Sequence, residues 1–165
     1  VSRAEPYEQA AAVLLRESGC TIRSYRSRNT GVAHTDAADW GIEVPHPRGP
    51  VSFAVFAHEV GHQLLHRNSS RLRWLHEVEA WEYALAQFDR FDLPGVERAR
   101  VDAALSLRYA AAKTLRRRPK PETAQALLDR MPEWVWHFTD PRAAVTDDTR
   151  DRLLDVVQDV ATLDE

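Results

Sequence analysis

Apolar positions along the chain recur at helical spacing in several long stretches and alternate only in short ones near the start. Residues 6–17 carry Ala10, Val13 and Leu14 on one stripe, and Ser18-Gly19 closes the segment with a glycine after the last turn. Residues 21–26 alternate weakly through Ile22 and Tyr25 and predict a strand, with Arg23, Arg26 and Arg28 as a solvated basic face. Asn29-Thr30-Gly31 is a turn signal, 32–35 predicts a second short strand, and 36–39 a second turn. Residues 40–44, Trp-Gly-Ile-Glu-Val, are the best strand candidate. The prolines at 45, 47 and 50 exclude regular structure between it and the next segment.

From Phe53 to His66 the pattern is helical again, with Phe53, Ala57, Val60 and Leu64 on one face. Residues 67–71 read as a polar connection, and 72–91 predicts a second long helix on the spacing of Trp74, Val78, Trp81, Leu85 and Phe88. Leu93-Pro94-Gly95 breaks the chain before an Ala-rich helix over 96–118. A shorter helix is predicted at 122–130, an extended or turn segment at 131–138, and a terminal amphipathic helix at 151–163. These elements predict an α+β fold, mostly helical, with a small N-terminal sheet packed beside the 53–66 helix. No internal repeat or low-complexity tract is present.

Composition narrows the class. The chain has 165 residues, 44% hydrophobic and 28% charged, which suits one globular domain burying roughly 70% of its unfolded surface. We expect a single domain over 1–165, with its core in 20–92 and a helical extension in 93–165. A net charge of −3 gives no overall nucleic-acid footprint. A nucleic-acid-binding reading would rest only on Arg116, Arg117, Arg118 and Lys120 and on the Arg23–Arg28 patch, so direct nucleic-acid binding is not expected. The single cysteine, Cys20, excludes an internal disulfide and suits a reduced, cytoplasmic setting. No apolar run of membrane-spanning length occurs and no leader pattern is seen, so a membrane partner is not expected and an intracellular protein is.

The chemistry sits in the 53–66 helix. His58-Glu59-Val60-Gly61-His62 reads H-E-x-x-H. Residues four apart on a helix share a face, so two imidazoles can meet one ion. Zinc takes neutral histidine nitrogen and, in a catalytic site, keeps a position open for water. Glu59, beside the pair, could move a proton from that water to a leaving amine. His58 and His62 fall off the apolar stripe, as ligands presented to a cleft must. Gly61, mid-helix, costs about 1 kcal/mol against alanine and signals the close approach of another element.

Two histidines hold zinc poorly, and a third protein ligand is needed. His66 is two turns, about 12 Å of rise, from His58, too far to share the ion, and reads as a helix-end histidine. The next helix offers His76, Glu77, Glu79 and Glu82. Its apolar stripe favours Glu77 or Glu82 slightly and puts Glu79 further round, but spacing does not choose cleanly among them. An oxyanion formed in peptide hydrolysis would need a donor, for which His34, Tyr83, Tyr109 and His137 are candidates.

The run from Phe56 to His66, followed by Glu77-Val78-Glu79-Ala80-Trp81-Glu82-Tyr83-Ala84, resembles the ImmA/IrrE family of metallopeptidases. That family's pattern is H-E-x-G-H-x-x-x-H, then E-x-E-A-x-x-F-A; Tyr83 stands where the phenylalanine is usual. The metallopeptidase part of ArdC-type antirestriction proteins is similar at the same two places. The resemblance covers roughly residues 40–90. It implies a gluzincin-like, zincin-type domain in which His58, His62 and Glu79 bind Zn2+ and Glu59 is the general base. It also implies a narrow protein substrate, often a DNA-binding repressor of a mobile element or stress circuit, and a peptide added as a strand at the sheet edge. The chain departs from the family in the short link between the motifs and in lacking an attached DNA-binding domain. It is therefore expected to be a minimal catalytic domain targeted by a partner. The competing class is a zinc-binding regulatory or interaction protein without turnover.

Overall fold

The structure, a computed structural model, describes residues 3–137 and 148–161, with side chains up to 158. It is mostly helical with a small three-stranded sheet, an α+β fold. The chain divides into two compact units, Val1–Arg100 and Val101–Glu165. The first holds the whole of the expected core, residues 20–92.

In the first unit, α1 (Glu5–Ser18) begins with Pro6 in its first turn and ends at Gly19, whose φ of 70° is the left-handed cap that a glycine adopts without strain. Its buried face is Tyr7, Ala10, Ala11, Leu14 and Ser18, with Val13 only half-buried. The strands are β1 (Thr21–Arg26), β2 (Val32–Ala33) and β3 (Gly41–Pro45), in the order β1-β3-β2. β3 is central, parallel to β1 and antiparallel to β2, pairing Val32 with Glu43 and Ala33 with Ile42. The β1–β3 register shifts at Arg23, whose guanidinium forks onto the Asp39 carboxylate at 2.8 and 3.0 Å. β3 ends on Pro45, which the sequence reading assigned to the loop. Ile42 and Val44 are fully buried, as a central strand under a helix requires.

That helix is α2 (Pro50–His66). It starts three residues before the apolar pattern does, because Pro50 suits a first helical position and Ser52 caps the turn. The Ser52 Oγ accepts the N–H groups of Arg48 at 3.0 Å and Gly49 at 3.1 Å. Residues 53–61 of α2 are buried all round, between α1, the sheet and α3 (Arg73–Arg90). The expected stripe fails at one place. Leu64 is exposed, and the fully buried position is Gln63, whose amide donates to the Gly41 carbonyl at 3.0 Å.

Helix α3 returns antiparallel to α2. Phe88 meets Phe53 edge-on at 5.4 Å, Ala80 and Tyr83 lie against Gly61, and His76 stacks on His66 at 4.2 Å. A Cβ at Gly61 would come within 3.0 Å of the Tyr83 ring and 3.4 Å of the Ala80 backbone, the close approach read from the mid-helix glycine.

The second unit contains most of α4 (Val96–Arg116), then α5 (Pro121–Arg130), α6 (Glu133–His137) and α7 (Thr149–Ala161). Ala103, Ala104, Leu107 and Ala111 are the buried row of α4, and α5 packs against α7 around Leu127 and Leu153. The segment expected to be extended or a turn at 131–138 is instead the helical turn α6 as far as His137. Arg108 donates to the Val135 carbonyl at 2.7 Å and the Trp136 carbonyl at 3.2 Å, giving partners to carbonyls that so short a helix leaves open. Residues 162–163 of the expected terminal helix lie outside the described residues.

Candidate metal centre

One turn of α2 separates His58 from His62, and their Nε2 atoms stand 3.0 Å apart. The Glu77 carboxylate, from α3, lies 3.4 Å from His58 Nε2 and 3.7 Å from His62 Nε2. Tetrahedral ligands about 2.0–2.1 Å from one zinc ion stand about 3.4 Å from each other. The three separations, the last two to different oxygens of Glu77, lie on either side of that value, so the donor set is of a size to hold one metal ion. Among the described residues this is the group of histidine and carboxylate ligands that can hold a metal ion.

Glu77 reaches the pair because it continues the buried row of α3. Trp81, Ala84 and Phe88 follow it at helical spacing, and the Trp81 ring covers His58 at 4.4 Å. Glu79 was the ligand implied by the family resemblance, and the structure places it elsewhere. Two residues are more than half a turn of helix, so Glu79 leaves the row that faces His58. Its carboxylate meets His66 Nε2 at 2.9 Å and Arg71 Nη2 at 3.1 Å. Glu82, the other residue flanking the stripe, is exposed. The apolar stripe of the second helix, which leaned toward Glu77 or Glu82, was the signal that could have found Glu77.

The protonation states suit a cation. Burial pushes the His58 imidazole down to about 4, against the opposing pull of Glu77, so it is neutral and free to ligate. Burial raises the Glu77 carboxyl, but hydrogen bonds from His58 and His62 outweigh this and hold it well below the usual carboxylate range. Glu59 is 6% exposed. Its burial pushes the carboxyl up to about 7, with the His62 charge acting the other way.

Glu59 is enclosed by the turn that precedes β2. A Cβ at residue 31 would overlap the Glu59 side chain, so only glycine fits there. The next residues are Val32 and Ala33, and the nearby Ala33 backbone works against the rise of the Glu59 pKa. β2 thus lies along the Glu59 side of the helix, with its outer edge unpaired among the described residues.

The oxyanion candidates separate. His34 directly follows β2, and its Nε2 is buried and has no hydrogen-bond partner among the described residues. The hydroxyl of Tyr83 is surrounded by Arg90, Glu17 and Cys20, the charges that act on it; its pKa is raised first by burial. The Tyr83 ring itself lies against Gly61, next to His62 in the chain. Tyr109 is exposed with Arg116 over its ring, and His137 is bonded to Glu133 at 2.7 Å; both belong to the second unit.

No protein-family model, curated protein or solved structure matches the chain. No described helix is long and apolar enough to cross a membrane.

Proposed function

We propose that the chain is a zinc-dependent metallopeptidase in which His58, His62 and Glu77 hold the metal and Glu59 is the general base. The observation that carries this reading is the convergence of two Nε2 atoms from α2, the helix that also presents Glu59, and the Glu77 carboxylate from α3, at 3.0, 3.4 and 3.7 Å. When bound there, zinc supplies a Lewis acid and a water acidified toward neutral pKa. Glu59, with a pKa near 7, takes the proton from the attacking water and returns it to the leaving amine. The edge of β2, unpaired among the described residues, offers N–H and C=O groups to an extended peptide alongside Glu59. His34, next to that strand, has a buried Nε2 without a hydrogen bond among the described residues, 4.0 Å from the Glu43 carboxylate, and is the oxyanion candidate nearest such a peptide in sequence. The motif resemblance adds an intracellular, narrow protein substrate such as a DNA-binding repressor.

A second reading has an observation of its own. His58 and Glu59 are only 5% and 6% exposed, and Gly31 closes over the carboxylate. Such a closed site favours a zinc-binding regulatory protein whose metal holds α2 to α3 without turnover. Three measurements decide. Elemental analysis at saturating metal should give one zinc per chain in the wild type and in Glu79→Ala, and none in Glu77→Ala. Loss with Glu79→Ala and retention with Glu77→Ala would restore the ligand set implied by the family pattern. Peptide-library digestion that is active in the wild type and reduced at least about 100-fold in zinc-loaded Glu59→Gln supports the peptidase. Function in cells that survives Glu59→Gln and is lost with His58→Ala supports the regulatory protein.

A further inference from the structure

A metal ligand is held in place by what its far side touches, and His58 and His62 differ there. His58 Nδ1 is buried and has no hydrogen-bond partner among the described residues. His62 Nδ1 stands 3.0 Å from His66 Nδ1. His66 in turn has its Nε2 2.9 Å from Glu79 Oε2. Arg71 grips both oxygens of Glu79, Nη2 on Oε1 at 3.1 Å and Nη1 on Oε2 at 3.3 Å. The ring of His66 is 3% exposed and lies flat on His76, 19° from parallel, and His76 is itself tied to Ser69 Oγ at 2.9 Å.

Proton placement in this row has a single direction. If His62 binds metal through Nε2, its proton is on Nδ1 and must be donated. His66 Nδ1 therefore accepts, which leaves the His66 proton on Nε2, where a carboxylate oxygen waits. No group in the row is left with two donors or two acceptors facing one another. We propose that His66 and Glu79 are positioning residues for the metal ligand His62, fixing its tautomer and ring orientation and raising its basicity through a histidine-to-carboxylate relay. The inference rests on the zinc reading of the site. It assigns work to two residues that the metal itself does not touch, and it makes one of the two histidine ligands anchored and the other not.

Outer-shell partners of this kind typically change metal affinity 10–100-fold. The test is zinc affinity by competition with a chelating dye, together with 15N spectra of the histidine side chains in the zinc-loaded wild type. We expect His66→Phe, which keeps the stack on His76, and Glu79→Ala each to weaken zinc binding about 10–100-fold while still taking up one zinc at saturation. The spectra should show His62 protonated at Nδ1 and His66 protonated at Nε2. If both variants fold, melt at lower temperature and bind zinc as tightly as wild type, the row is only a clamp between helices and the proposal is overturned. A His66 proton on Nδ1 overturns it without any variant, so a failure of His66→Phe to fold leaves it testable. Failure of the zinc reading looks different: wild type would take up no zinc, or Glu77→Ala would bind it undiminished.

Discussion

Glu59 carries the sharpest electrostatic consequence of the fold. An acid whose folded pKa lies above its unfolded value binds protons on folding. Its contribution is therefore favourable below the unfolded pKa, near 4.5, and is lost as pH rises through about 7. The gap between those values corresponds to about 3 kcal/mol. In the metal-free protein, Glu59→Gln removes a group that cannot ionise in place without this cost. We expect Glu59→Gln to gain about 2–3 kcal/mol over wild type at pH 8 and nothing comparable at pH 4.5, measured by urea unfolding in chelator. A gain equal at both pH values would mean that the carboxyl is not held near 7. The residue scale also shows what the motifs leave open. H-E-x-x-H names His58, Glu59 and His62 without help from the fold. It says nothing about which acid on the next helix turns toward them, since Glu77 and Glu79 are both at reach in sequence and only one lies on the row that packs.

At the scale of elements, α2 and α3 form the antiparallel pair that makes the site, and Gly61 sets how near they come. With Tyr83 and Ala80 already at 3.0 and 3.4 Å from the place of a Cβ, a branched side chain has nowhere to go. Gly61→Val should lower stability by about 1–3 kcal/mol despite the better helix propensity of valine. Thermal or urea unfolding checks this, and an unchanged midpoint would place the two helices further apart than described. The expected helices at 6–17, 53–66, 72–91, 96–118 and 122–130 all appear with small shifts at their ends, because their apolar period is visible in the chain. The miss at 131–138 has a physical reason: α6 is too short to show a period. Its carbonyls are satisfied by Arg108, which is distant in sequence. Gln63 is buried beside an exposed Leu64 because a buried amide that finds the Gly41 carbonyl is no longer costly.

For the whole molecule the metal would act as a ligand of the folded state alone. Zinc free at a hundredfold its dissociation constant stabilises a single-site protein by about 2.7 kcal/mol. We expect that stabilisation in the wild type on adding zinc, its loss on adding chelator, and its absence in Glu77→Ala, followed by calorimetry. Equal stabilisation of Glu77→Ala would move the binding away from the His-His-Glu group. The chain's division into Val1–Arg100 and Val101–Glu165 places every proposed ligand, the general base and the relay in the first unit. The unfolding trace is thus to be read as two units, since a single two-state transition need not describe both.

The sequence by itself determined the α+β class, the order of the short strands and of the helices other than α6, and the helix that bears the H-E-x-x-H motif. Those are local properties: period, punctuation and spacing along a few turns. Only the tertiary structure decided that Glu77 completes the group, that Glu79 and His66 stand behind His62, and that Gly31 encloses Glu59. Each of these depends on the rotation of one helix about its axis or on a turn folding back across it. That rotation is set by the packing of side chains far apart in the chain, which no local pattern encodes.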